Sequence, residues 1–318
     1  MQFYDIFNGD ADGLCALQQL RLEEPRAAVL VTGVKRDVRL LDRVTAAAGD
    51  ELTVLDISLL SNAAGLRRLL DAGARCRYFD HHAAGDVPRH PNLEAFIDTA
   101  PDICTSLIVD RHLNGRQRPW AVVAAFGDNL AEPALRAAET LGLDAGDVMQ
   151  LRQLGEALNY NAYGDTVEDL HYPPGDLFGT LSRYRDPRDF ISGEPVVGVL
   201  RGAYQDDLDR ADRIKPETET GRRAVLVLPD AAWSRRVYGM LGNRLARRNP
   251  GRAHALLVKK GEGYRVSVRA AIERPHGADE LCRKFESGGG RQGAAGINFL
   301  PASEFGRFIA AFEQQFPA

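Results

Sequence analysis

The stretch Tyr78-Phe79-Asp80-His81-His82 decides how this chain is read. It closes a short apolar run that begins at Cys76, so a carboxylate and two adjacent imidazoles project from the end of a strand. In open α/β sheets that carboxyl edge is where ligands bind. The same punctuation recurs upstream. Phe3 to Phe7 predicts a strand, the turn-rich Asn8-Gly9-Asp10-Ala11-Asp12-Gly13 follows it, and Leu14, Leu17, Leu20 and Leu22 then recur at roughly helical spacing. Ala28 to Thr32 predicts a second strand, and Leu52 to Leu55 a third that ends on Asp56. A helix carrying Leu66, Leu69 and Leu70 leads to the strand that ends on Asp80. Such a βαβαβ alternation calls for a parallel sheet, and its acids then share one edge.

Downstream, Asp98 follows Ala95-Phe96-Ile97, and Cys104-Thr105-Ser106 opens a helix-like apolar segment. Trp120 to Phe126 predicts a buried helix, stopped by Gly127-Asp128-Asn129. Residues 159–188 are polar and aromatic, a covering segment whose tyrosines pack, and the charged run 206–221 is the linker candidate. A second domain opens with the strand Ala224 to Leu228. A helix bearing Trp233, Val237, Leu241 and Leu245 follows, then strands at Ala255 to Val258 and Tyr264 to Ala270 and a helix around Ala278 to Phe285. The run from Ser287 to Gly296, with five glycines in ten residues, reads as a glycine loop able to bring backbone N–H groups to an anion. The expected architecture is α/β: a parallel-sheet domain at 1–188, a connecting segment and linker at 189–221, and a smaller α/β substrate-binding domain at 222–318, with the site in the cleft between domains.

A chain of 318 residues, 44% hydrophobic, can bury the cores of two such domains. From Arg222 onward there are 17 Lys+Arg and 8 Asp+Glu, a net of +9, against 23 and 36 upstream, a net of -13. This asymmetry suggests cations bound by the first domain and an anionic substrate gripped by the second. The four cysteines lie far apart, without metal-ligand spacing, and read as reduced thiols. No apolar run has transmembrane length and no basic leader precedes one, so a soluble, cytoplasmic protein with no membrane partner is expected.

Asp10, Asp12, Asp56, Asp80 and Asp128 converge if the shared edge forms. Like charges so placed raise one another's pKa unless cations sit among them. Carboxylates with one or two imidazoles suit Mn²⁺ or Mg²⁺, and a shared acid would bridge two ions about 3.5 to 4 Å apart, the geometry of in-line phosphoryl displacement.

These residues resemble the DHH phosphoesterase family. Asn8-Gly9-Asp10-Ala11-Asp12-Gly13 is similar to its first motif, Asp56 to its second, Asp80-His81-His82 to its third and Gly127-Asp128 to its fourth. Val266 to Arg269 with Gly288-Gly289-Gly290-Arg291-Gln292-Gly293-Ala294-Ala295-Gly296 resembles the DHH-associated C-terminal domain. The resemblance implies a first ion on Asn8, Asp10 and Asp56, and a second on Asp12, Asp56, His81 and Asp128. It also implies a catalytic His82 facing the scissile phosphate beside an orienting Asp80. Substrate contacts are expected from Ser106, Arg269, Gly288, Gly289, Gly290 and Arg291. Two positions depart from the family pattern: Asn8 replaces a histidine with a neutral amide, which should weaken the first ion site, and Arg291 replaces a histidine in the glycine run.

The implied activity is hydrolysis of short oligonucleotides or linear dinucleotides to mononucleotides with two Mn²⁺ or Mg²⁺ ions. A short substrate is expected because two domains offer little surface for tracking a polymer, and a homodimer is compatible with the sequence. The competing readings are a polyphosphatase-type phosphoanhydride hydrolase and a weakened or non-catalytic nucleotide-binding module.

Overall fold

The computed structural model describes residues 1–317, which form two compact units, Met1–Gly202 and a second that begins at Ala203. In the first, β1 (Phe3–Phe7), α1 (Ala11–Glu23), β2 (Val29–Val31), β3 (Glu51–Leu55), α2 (Leu59–Asp71), β4 (Arg75–Asp80) and β5 (Leu93–Ile97) alternate as expected. The strands pair in the order β2-β1-β3-β4-β5, all parallel.

The sheet is covered on both faces, which explains its apolar strands. Side chains alternate across a strand with period two. Phe7, Leu55 and Phe79 therefore enter one core, while their predecessors Ile6, Val54 and Tyr78 enter the other. The first core is roofed by α1 and a helical layer: α3 (Thr105–His112), α4 (Arg118–Gly127), α5 (Ala131–Glu139), α6 (Ala145–Asn161), α7 (Pro174–Leu181) and α8 (Pro187–Gly193). The second is closed by α2 and the short 3-10 turn Leu40–Arg43.

Residues 159–188 hold the end of α6, a 3-10 turn at Val167–Asp169, α7 and the start of α8, joined by turns. Tyr160 is fully buried, with its hydroxyl 2.9 Å from His171 Nε2. The charged run 206–221 is not linker throughout: 206–212 completes α9 (Pro195–Asp212). The few apolar residues of that run explain why. Leu208 and Ala211 are buried, and buried Asp207 is paired with Arg236 at 2.8 Å.

The second unit holds a mixed six-stranded sheet. Its elements are β6 (Thr218–Glu219), β7 (Arg223–Leu228), α10 (Ala232–Arg248), β8 (Ala253–Lys260), β9 (Gly263–Arg269), α11 (Ala278–Cys282), β10 (Gly288–Arg291), β11 (Ala294–Pro301) and α12 (Phe305–Gln315), with sheet order β10-β11-β9-β8-β7-β6. Phe308 and Phe312 of α12 and Leu281 of α11 pack on Leu257, Val266, Val268 and Ile297 of the strands.

Gly288 to Arg291 correct the sequence reading. They are no loop but an edge strand, paired antiparallel with Ala294 to Ile297. Glycine is needed for steric reasons: a Cβ at Gly288 would be driven into the carbonyl oxygen of Cys282 and meet that of Phe285 at 3.0 Å. All four cysteines are buried and free, and no described helix is long and apolar enough to cross a membrane.

His254 on β8 gives this unit an acid-labile point. It is 1% exposed, with Nδ1 unpartnered, and burial together with the neighbouring Arg252 charge lowers its pKa to about 4. A depressed folded pKa means that the unfolded chain takes up the proton first as pH falls below 6.5, so stability is lost between there and about pH 4. Wild type should lose about 2 to 3 kcal/mol more than His254→Leu between pH 7 and roughly 4.5, measured by urea unfolding. Parallel pH curves for the two proteins would contradict this assignment.

Candidate metal centre

The turn after β1 is built by its own side chains. Asp10 Oδ1 accepts the N–H groups of Asp12 at 3.0 Å and Gly13 at 3.1 Å, capping α1. Asp12, one turn in, reaches across the layer: its two oxygens accept the N–H groups of Thr105 and Ser106, each at 2.7 Å. Helix α3 has no cap of its own at Cys104, and Asp12 supplies it from a distance.

Asp56, at the end of β3, has a left-handed backbone (φ +60°), which a short polar side chain tolerates, and Oδ1 accepts the Thr105 hydroxyl at 3.2 Å. Asp80, at the end of β4, is fully buried; Oδ2 accepts Leu59 N–H at 3.3 Å, and Oδ1 lies 2.7 Å from His82 Nδ1. His81 Nε2 lies 3.5 Å from Asp56 and 3.7 Å from Asp128, the residue that ends α4. Asp128 is set there by a close helix crossing. A Cβ at Gly127 would collide with that of Ala11 and meet Gly155 O at 2.9 Å, so α4 can lie against α1 and α6 only with glycine there.

Two overlapping sets each bring three donor atoms within 4.8 Å of one another: Asp12, His81 and Asp128, and Asp56, His81 and His82. The electrostatics show what the cluster lacks. Burial, then Asp12, Asp10 and Asp128, pushes the Asp56 carboxyl well above the usual carboxylate range. Burial and the same like charges raise Asp128 to about 6, although Lys35 pulls the other way. Asp10 is the exception: burial would raise it, but the Lys35 ammonium and hydrogen bonds hold it near 2. Hard oxygen donors with one or two imidazoles and uncompensated negative charge are the donor set of Mn²⁺ or Mg²⁺, so a divalent ion fits among Asp12, Asp56, His81 and Asp128.

Asn8, Asp10, Asp12, Asp56, Asp80, His81, His82 and Asp128 are therefore gathered at one edge. Ser106 is gathered too, but not as a substrate contact: it is fully buried and its hydroxyl donates to the Asp12 carbonyl at 2.9 Å. Arg269 and Arg291 belong to the second unit. Arg269 is fixed by Asn243 and Ser267, both at 2.9 Å, while Arg291 is exposed and has no ion pair among the described residues. Lys35 went unread in the sequence, although it follows the predicted strand Ala28 to Thr32 closely enough to reach the same sheet edge.

The chain shares its fold with solved structures that include a DHH domain. A manganese-bound exonuclease RecJ shares it with a TM-score of 0.62 at 19% identity, over 98% of this chain and 89% of its own. The DHH domain of a member of a ribosomal-protein family gives 0.61 at 13% identity, over 99% and 86%. A pGpG-specific phosphodiesterase from Vibrio cholerae gives 0.55 at 14% identity, over 99% and 98%. No family model and no curated protein matches the sequence.

Proposed function

We propose that the chain is a metal-dependent phosphodiesterase that releases mononucleotides from short oligonucleotides or linear dinucleotides. The observation that carries this reading is the convergence of buried Asp12 and Asp56 with half-buried His81 and Asp128 in a cation-demanding cluster at the carboxyl edge of the sheet. A divalent ion held there supplies Lewis-acid polarisation of a phosphoryl oxygen and a lowered pKa for a water ligand.

The chain's own residues do the rest. Asp80, pinned to the start of α2, fixes the His82 ring through Nδ1 and leaves Nε2 for substrate. Burial lowers the His82 pKa, but the Asp80 hydrogen bond and charge outweigh it, so the net shift is upward. With Nδ1 turned to Asp80, Nε2 is the ring atom placed to pass a proton to a leaving oxygen. Exposed Arg291, at the tip of the β10–β11 hairpin of the basic second unit, suits a phosphate contact. That an exonuclease and a dinucleotide phosphodiesterase share the fold supports a nucleotide substrate.

The test is turnover of a labelled dinucleotide by pure protein with Mn²⁺, Mg²⁺ or EDTA. Mn²⁺ should give mononucleotides, and EDTA should slow release at least about a hundredfold. Undiminished hydrolysis by metal-free protein would remove the ion from the reaction. Saturable binding without product would make the chain a nucleotide-binding module, and cleavage of polyphosphate alone would move it to phosphoanhydrides.

A further inference from the structure

Resting on that reading, we infer that the ammonium of Lys35 takes the place of one of the two expected ions, so that the centre holds a single divalent cation, on Asp12, Asp56, His81 and Asp128. The Asp10 side of the cluster is already filled. Lys35 Nζ is paired with Asp10 Oδ2 and lies 3.1 Å from Asn159 Oδ1 and 3.6 Å from Asp128 Oδ1. Asp10 Oδ1 also caps α1, so the ammonium holds the oxygen that this duty leaves over.

Asn8 is part of the same device. Its amide is held by backbone groups on both sides: Oδ1 accepts Asp10 N–H at 3.3 Å and Nδ2 donates to the backbone carbonyl of Lys35 at 3.2 Å. The residue standing where an imidazole ligand was expected thus anchors the segment that delivers the cation. Ala162 O holds the same segment through Lys35 N–H at 2.9 Å, and the Tyr163 ring lies 5.7 Å from the ammonium. An ammonium neutralises Asp10 and offers N–H donors to a phosphoryl oxygen, but it brings no water ligand.

The measurement is the number of Mn²⁺ ions per chain, by equilibrium dialysis with elemental analysis, together with the electron paramagnetic resonance spectrum of the loaded protein. Wild type should bind one ion and show uncoupled Mn²⁺. Asn8→His/Lys35→Ala, shown to be folded by circular dichroism, should bind two and give the spectrum of a coupled pair. Two ions and a coupled spectrum in wild type would overturn the inference and leave the proposed activity standing. No bound ion would overturn both. The wild-type count decides the matter even if the double variant does not fold.

Discussion

Asp56→Asn should lower kcat at least about a thousandfold while raising the melting temperature of the metal-free protein. The two effects share one cause. Burial first, and then the neighbouring Asp12, Asp10 and Asp128, raise the Asp56 pKa, so its ionised form is disfavoured in the folded chain. Asparagine keeps the shape, tolerates the left-handed backbone at φ +60° and can still accept the Thr105 hydroxyl. It removes only the charge that a cation needs. Stability gained where activity is lost is the expected signature of a functional acid. Melting in EDTA and kinetics in Mn²⁺ on the same preparations check both halves. A variant that melts lower in EDTA, or retains a tenth of wild-type kcat, would place Asp56 outside the ion site.

Gly155→Ala should cost at least about 2 kcal/mol, with a fall in melting temperature of about 4 to 10 °C. The added Cβ would be forced into the Val123 carbonyl oxygen and meet Gly127 N at 2.9 Å, both backbone atoms of α4 that no rotamer change can move. Alanine's better helix propensity, worth up to about 1 kcal/mol, does not offset this. Because Asp128 directly follows Gly127, parting α4 from α6 should also weaken Mn²⁺ binding. Gly179→Ala on α7 is the control: its Cβ would meet nothing within 4 Å, so the substitution should be neutral or stabilising. A Gly155→Ala melting temperature within a degree of wild type would show that the crossing relaxes freely.

The strand ends were legible because each is written locally, as an apolar run followed by an acid, and one parallel sheet aligns them without further information. What escaped depends on neighbours distant in sequence. Lys35 reaches Asp10 only because β2 pairs beside β1, with Tyr4 opposite Val29, a choice no local pattern dictates. Ser106 looked accessible because nothing nearby in sequence shows that Asp12, 94 residues away, turns its hydroxyl inward. The glycine run signalled permissive backbone, yet its conformation was set by pairing with Ala294 to Ile297 and by the carbonyl of Cys282. Likewise, the charge of 206–212 concealed a helix whose buried Asp207 is matched by Arg236.

The capping duties of the acids bear on how related sequences should be compared. Asp10 starts α1, Asp12 starts α3 and Asp80 fastens the start of α2. A descendant that had abandoned hydrolysis would still be under selection to keep all three, since each satisfies buried backbone donors. Their persistence in a lineage is therefore poor testimony to an active enzyme. His81 and Asp128 start no helix, so drift at those two positions would be the earlier mark of a lapsed function.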